Sequence, residues 1–107
     1  DTGFTGSSYQ IGGNTNLVFR NGRWAESWTS LGGIYRPCAG GSSTWGSWLS
    51  NEEIRSNAVS STGKRHGYVF EVPADTTQST YTNVPIVDMG RMSHEASVID
   101  PATGYWY

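Results

Sequence analysis

Residues 14–31 read NTNLVFRNGRWAESWTSL, and this stretch predicts the fold class. Two runs rich in apolar and aromatic side chains, 15–19 and 24–31, lie on either side of the dipeptide Asn21-Gly22. Asn-Gly is favoured in type I′ turns, because the twist of these turns matches that of paired antiparallel strands. The stretch therefore predicts a β-hairpin with one strand over 15–19 and a return strand over 24–31.

Short strands separated by turns are predicted for the rest of the chain as well. Glycines interrupt the sequence at short, regular intervals, which is typical of all-β proteins. The predicted elements are strands over 66–72, 84–89 and 95–100, a turn over 100–104, the start of a strand at 105–107, and a short helical piece over 51–58. Pro73 ends the first of these strands, in which Tyr68, Phe70 and Val72 share a face. The pattern predicts an all-β fold of short antiparallel strands.

Composition excludes several classes of protein. The chain has 107 residues, a length that suits one small domain. A formal net charge of −2 argues against nucleic acid as the main partner. One cysteine cannot form an intrachain disulfide. No apolar run is long enough for a membrane span.

The only cysteine lies in the stretch 36–53, RPCAGGSSTWGSWLSNEE, which ends in a pair of carboxylates. A thiolate is a soft ligand for iron, zinc or copper, whereas carboxylates suit calcium. This stretch therefore makes a mixed metal site one interpretation. The other interpretation is that Cys38 is a small buried hydrophobe and that Glu52 and Glu53 are solvated.

A second candidate segment is GRMSHEA, residues 90–96. It places a histidine directly before a glutamate, and both side chains are common in metal and catalytic sites. Neighbouring side chains on a strand point to opposite faces. His94 and Glu95 are therefore not expected to line one pocket together.

Several motifs in a fixed order connect these two segments with a known family. They are GGNTNLVF (12–19), SLGG (30–33), CAGG (38–41), WGSWL (45–49), EE (52–53), HGYVFEV (66–72), MGRMSHEA (89–96) and DPATG (100–104). In these motifs the chain resembles the PhoX-type alkaline phosphatases over nearly its whole length.

The resemblance implies a β-propeller exported from bacterial cells, hence secreted or periplasmic, that hydrolyses phosphate monoesters at a cluster of iron and calcium ions. It maps Cys38 onto an iron ligand, and Glu53 and Glu95 onto metal ligands. His94 would then face away from the centre as support. Arg36 and Arg91 are weaker candidates for phosphate contact, because arginine offers a bidentate fork. Ordinary surface arginines are the alternative interpretation.

The sequence also departs from the family pattern. Pro37 replaces the asparagine before the family's cysteine, Thr44 stands in place of a proline, and Asn51 stands in place of a cysteine. The family continues beyond the DPATG turn into a long remainder with further carboxylates.

A propeller blade takes about 40–50 residues and a ring about four to eight blades. Residues 1–107 are therefore expected to form a single partial domain of about two blades, incomplete as a closed ring.

Three functions follow from these observations. The first is a segment of a PhoX-like metal-dependent phosphatase, inactive in isolation, whose partners are the rest of the propeller and a phosphate monoester. The second is a secreted structural module that associates with other β-rich chains through exposed strand edges, as an oligomer or fibre. The third is a carbohydrate-binding module that uses tryptophans as stacking platforms. We predict instead that the five tryptophans are core residues: Trp24, Trp28, Trp45, Trp48 and Trp106.

Overall fold

The computed structural model describes residues 11–54, 64–74 and 84–107, and these residues form β-strands with almost no helix. The elements are β1 (Ile11–Arg20), β2 (Arg23–Tyr35), β3 (Gly41–Ser42), β4 (Ser47–Asn51), β5 (Val69–Pro73) and the 3₁₀-helix η1 (Val87–Met89). They build a two-stranded sheet, β1-β2, and a three-stranded sheet, β3-β4-β5, both antiparallel. The predicted all-β class is confirmed, and the described strands do not close a barrel. No helix in the described ranges has the length and apolar character needed to cross a membrane.

The predicted hairpin is present as β1 and β2. Asn21 and Gly22 have φ values of 51° and 75°, the two positive angles that a type I′ turn requires. Both strands extend beyond the predicted ranges, because pairing continues to Ile11 opposite Tyr35. Register shifts, among them one between Val18 and Phe19, interrupt the ladder. Such irregularities increase the local twist of a strand pair.

Two small apolar clusters form the core. The first joins the two sheets and contains Leu31 and Ile34 of β2 with Phe70 and Val72 of β5; Tyr68 packs against it. The predicted shared face of residues 68, 70 and 72 is thereby confirmed.

The second cluster lies on the other side of β5. It contains Leu49, Val69 and Ile99, with Ile86, Met89 and Trp106 packed around them. Successive residues of β5 therefore enter different clusters, as the alternation of side chains along a strand requires.

Three local predictions need correction. Residues 84–89 do not form a strand: Pro85 makes an isolated bridge to Phe70, and η1 follows. Proline has no backbone N–H to donate, which limits it to edges and bridges of sheets. Residues 95–100 make only isolated bridges, at Ala96 and Ile99. The predicted helix over 51–58 does not begin at Asn51, which ends β4, and its residues 55–58 lie outside the described ranges.

The predicted turn over 100–104 is confirmed. The Gly104 N–H donates to the Asp100 carbonyl at 2.8 Å, and the Asp100 side chain accepts from the Ala102 N–H and the Thr103 hydroxyl. The turn brings Trp106 back against Ile99 in an antiparallel bridge.

The prediction that the tryptophans are core residues is wrong for three of the five. Trp24, Trp45 and Trp48 are 68%, 56% and 41% exposed, and the other two are half-buried. In β4, Trp48 lies between the buried residues Ser47 and Leu49, so strand alternation turns its ring away from the core. Both core clusters are small, and they are filled mainly by aliphatic side chains.

Candidate functional site

The three predicted metal ligands lie on neighbouring backbone segments. After β2 the chain runs alongside the end of β4, where the Cys38 N–H donates to the Asn51 carbonyl and the Glu53 N–H donates to the Arg36 carbonyl, both at 3.0 Å. The segment that carries Glu95 lies next to Cys38, because the Gly40 N–H donates to the Glu95 carbonyl at 3.1 Å. The backbone segments that carry the three residues thus meet at the Asn51 end of β4.

We call Cys38, Glu53 and Glu95 together the Cys38 cluster. Cys38 and Glu95 are exposed, and Glu53 is half-buried. A hydrogen bond from the Ala39 backbone lowers the pKa of the Cys38 thiol. The hydrogen bond to Glu53, partial desolvation and the negative charges of Glu53 and Glu95 act in the opposite direction, and together they raise this pKa above its ordinary value. Both carboxylates therefore act on the thiol.

The donor types of this cluster suit a metal, but their number and arrangement do not complete a site. Among the described residues, no group of three or more His, Cys, Asp or Glu side chains is placed to hold a metal ion. Zinc and calcium sites use about four to eight ligands. The described part of the chain supplies a thiol in contact with one carboxylate, and a second carboxylate nearby. Metal ligation by these residues stays a prediction.

The two arginines named as phosphate contacts occupy different surroundings. Arg36 is exposed and has a φ of 48°, an uncommon backbone conformation for a residue other than glycine. It directly precedes Pro37 and Cys38 in the sequence. Arg91 is half-buried, and its guanidinium donates to the His66 carbonyl at 3.3 Å. Arg36 lies two residues before Cys38, and its carbonyl accepts the Glu53 N–H.

His94 is half-buried beside the cluster. Its Nε2 atom lies 3.3 Å from the Gly90 carbonyl oxygen. Its backbone N–H donates to the Glu52 carbonyl at 3.0 Å. Both contacts are with the backbone, which suits the supporting role predicted for this residue.

Glu52, which one interpretation of the sequence places in solvent, is instead buried. Its side chain has 0% exposure. One carboxylate oxygen accepts the Tyr35 N–H at 2.7 Å and lies 2.7 Å from His66 Nδ1. The other accepts the Gly67 N–H at 2.6 Å and the Tyr68 N–H at 3.1 Å. Strand alternation was the sequence signal that Glu52 and Glu53 differ in burial, since adjacent glutamates at the end of a strand point to opposite faces.

Gly67 must be glycine for Glu52 to be bound in this way. Its φ is +100°, and a Cβ atom there would lie 3.0 Å from the carbonyl oxygens of both Ile54 and Met92. A larger residue would push the backbone away from the Glu52 carboxylate. His66 and Gly67 of the HGYVFEV motif therefore provide hydrogen-bond partners for the buried Glu52 carboxylate.

Comparison with known proteins gives a family match that covers both the Cys38 cluster and the Glu52 contacts. The family model described as alkaline phosphatase PhoX matches residues 6–107. No curated protein and no solved structure compared with the chain gave a match. Because the family match extends over nearly all of the sequence, the chain belongs to the alkaline phosphatase PhoX family.

Proposed function

We propose that this chain is a segment of a secreted or periplasmic phosphatase that hydrolyses phosphate monoesters with the help of iron and calcium, and that the segment is inactive alone. The family match over residues 6–107 supports the phosphatase relationship. The observation that carries the assignment to particular residues is the proximity of Cys38, Glu53 and Glu95, which come from three distant parts of the sequence.

In this proposal Cys38 binds iron, and Glu53 and Glu95 provide oxygen ligands to iron or calcium. A thiolate prefers the softer metal and carboxylates prefer the harder one. A metal bound there would supply Lewis-acid activation of the phosphate ester. In this proposal the chain itself holds the donors at the end of β4 and carries the exposed Arg36 on the same segment as Cys38. The rest of the propeller would complete the site for catalysis, which is why the segment alone is proposed to bind metal without being active.

The charge of the cluster supports a cation as part of the site. Two carboxylates beside a thiol make the surroundings negative, and a phosphate ester is itself an anion. An anion approaches such a cluster only after a cation has neutralised it.

Elemental analysis of the purified protein tests the proposal. We expect iron and calcium in the unmodified protein and the loss of both in Cys38→Ser and Glu53→Gln. Glu71→Gln is the matched control, because Glu71 lies on β5 opposite Leu49 and does not affect the Cys38 pKa. Metal-free protein of unchanged stability, or metal that persists in Cys38→Ser, would contradict the proposal.

One observation also favours the structural module as a second candidate. Leu17, Phe19 and Trp24 are exposed on the hairpin, and the Phe19 and Trp24 rings contact each other at a centroid distance of 5.1 Å. Among the described strands, β1 pairs only with β2, so its other edge offers unpaired backbone groups to another chain. Size-exclusion chromatography should then show assemblies that Trp24→Ser weakens. A monomer at every concentration would reject this candidate.

A further inference from the structure

We propose that the buried Glu52 carboxylate is the positioning residue of the Cys38 cluster. It would hold in register the three backbone segments that carry Cys38, Glu53 and Glu95. The inference deepens the proposed function, since it concerns the same site, and it rests on that function for the purpose of the cluster.

Glu52 is connected to the segment that carries Cys38. The carboxylate accepts the N–H of Tyr35, the last residue of β2, at 2.7 Å. The next residue, Arg36, has a φ of 48°, and unfavourable backbone angles persist only where surrounding contacts impose them. Pro37 then bridges to the Glu52 backbone. Glu52 thus contacts the residues on both sides of Arg36, directly before Cys38.

Glu52 is also connected to the segment that carries Glu95. The carboxylate accepts the N–H groups of Gly67 and Tyr68, and the Gly67 carbonyl accepts the Met92 N–H at 3.0 Å. The Glu52 carbonyl accepts the His94 N–H at 3.0 Å. The segment that leads into Glu95 is therefore anchored to Glu52 at two points, once through its side chain and once through its backbone.

The chemistry of a carboxylate suits this position. A buried carboxylate is costly unless its oxygens are hydrogen-bonded, and a well-packed apolar side chain often stabilises a fold as well or better. Three backbone N–H groups and His66 Nδ1 face the two oxygens of Glu52. A glutamine would turn an NH₂ donor toward some of these donors. Only a side chain with an acceptor oxygen at both terminal positions can bind all four partners. This favours a role for Glu52 in positioning the backbone segments over a role in core packing.

The test compares Glu52→Gln with Glu71→Gln in the purified protein. The first measurement is hydrogen exchange at the backbone amides of Cys38, Glu53 and His94, which needs no metal. The second is titration with Co²⁺, followed by the absorption of the thiolate–cobalt complex. We expect Glu52→Gln to lose exchange protection at these amides, to weaken Co²⁺ binding about 10–100-fold and to shift the absorption band. Glu71→Gln should change none of them.

Two variants of His66 test the same positioning role if Glu52→Gln does not fold. His66→Ala removes one hydrogen bond to the carboxylate, whereas His66→Gln retains an N–H donor. We expect His66→Ala to show the same changes to a smaller degree and His66→Gln to recover part of the protection and affinity. Wild-type exchange and Co²⁺ affinity in a folded Glu52→Gln or His66→Ala protein would overturn the inference. If the unmodified protein binds no Co²⁺, the metal role in the proposed function fails, and the exchange rates alone decide the positioning role.

Discussion

The Cys38 thiol takes its chemical character from the residues around it. The Ala39 backbone favours the thiolate, but Glu53 accepts a hydrogen bond from the thiol and adds its negative charge, and Glu95 adds another. The balance keeps the thiol protonated at higher pH than an ordinary cysteine. A cation bound at the cluster would reverse this balance, because it favours the deprotonated ligand.

We predict that Glu53→Gln makes Cys38 react faster with iodoacetamide at neutral pH. The substitution removes the nearest negative charge, so the pKa of Cys38 should fall toward its ordinary value and the thiolate fraction should rise. The thiolate is the reactive form. The pH dependence of the alkylation rate measures this shift, and Glu95→Gln should give a smaller one. An unchanged pH profile in Glu53→Gln would show that the two side chains do not interact.

Glu71 gives a pH dependence of stability that can be separated from the Cys38 cluster. Hydrogen bonds from the Ser47 hydroxyl and the Trp45 Nε1–H to the carboxylate hold the pKa of Glu71 below its ordinary value. A carboxyl with a lower pKa in the folded state stabilises that state when ionised. The contribution is complete above the unfolded-state pKa of about 4.3 and is lost as the pH falls through the lower folded-state pKa.

We therefore predict that the protein loses stability on acidification below about pH 5 more steeply than Glu71→Gln does. The effect should be small, because the Glu71 side chain is exposed and solvent screens it. Urea unfolding midpoints of both proteins across this pH range provide the measurement. Parallel pH curves would show that the two hydrogen bonds do not favour the ionised form.

Among the elements, the hairpin depends on its turn. Asn21 and Gly22 both have positive φ, a conformation that glycine adopts without penalty and that asparagine tolerates. A Cβ atom at Gly22 would meet no atom within 4 Å. The cost of replacing this glycine therefore comes from the backbone conformation and not from a steric clash.

We predict that Gly22→Val destabilises the protein by about 1–2 kcal/mol, the cost of placing an L side chain in the left-handed region. Denaturant unfolding measures the difference. Asn21→Gly is the control, since glycine accepts the same angle and should change stability far less. Equal stability of Gly22→Val and the unmodified protein would mean that the hairpin turn is not maintained in solution.

In two segments, tertiary contacts and not the local sequence pattern decide which residues pair as strands. Residues 84–89 have an apolar pattern typical of a strand, yet Pro85 reduces their pairing to one bridge and η1 follows. β4 continues past Asn51 as isolated bridges at Glu52 and Glu53. Their partners are Pro37 and Ser93, so the pairing depends on segments far away in the sequence.

In the molecule as a whole, the two apolar clusters hold the sheets and the C-terminal turn together. Leu49 is fully buried in the cluster that contains Val69 and Ile99. This cluster packs β4 and β5 against residues 86–106. The Cys38 cluster lies at the end of the same β4 strand, so loss of this core should disturb the site as well.

We predict that Leu49→Ala destabilises the protein by about 2–5 kcal/mol, because it leaves a cavity in a small core. Val98→Ala is the matched control: Val98 neighbours Ile99 but is exposed, and its truncation should cost less than about 0.5 kcal/mol. Urea unfolding of both variants gives the comparison. Similar losses in the two variants would show that Leu49 is not part of a packed core.

The sequence motifs Cys-Ala-Gly-Gly, Glu-Glu and His-Glu-Ala single out Cys38, Glu53 and Glu95 as candidate ligands. In the fold the backbone segments that carry them are hydrogen-bonded neighbours, and their role as metal ligands stays a prediction. Glu52 escaped prediction because its partners Tyr35 and His66 lie 17 and 14 residues away along the chain. Nothing in the local sequence shows which of two adjacent glutamates will be buried.

Features that depend on local chemistry can be read directly from the amino-acid sequence. Asn21-Gly22 predicts the hairpin because both residues accept positive φ, Asp100 and Gly104 predict the final turn, and the ordered motifs indicate the family. Burial, in contrast, is a property of the folded chain. The fold leaves Trp24 exposed and buries the polar side chain of Glu52, because burial depends on which distant segments cover a side chain. Turn and strand preferences act over a few residues, whereas a buried carboxylate requires donors that only the folded chain brings together.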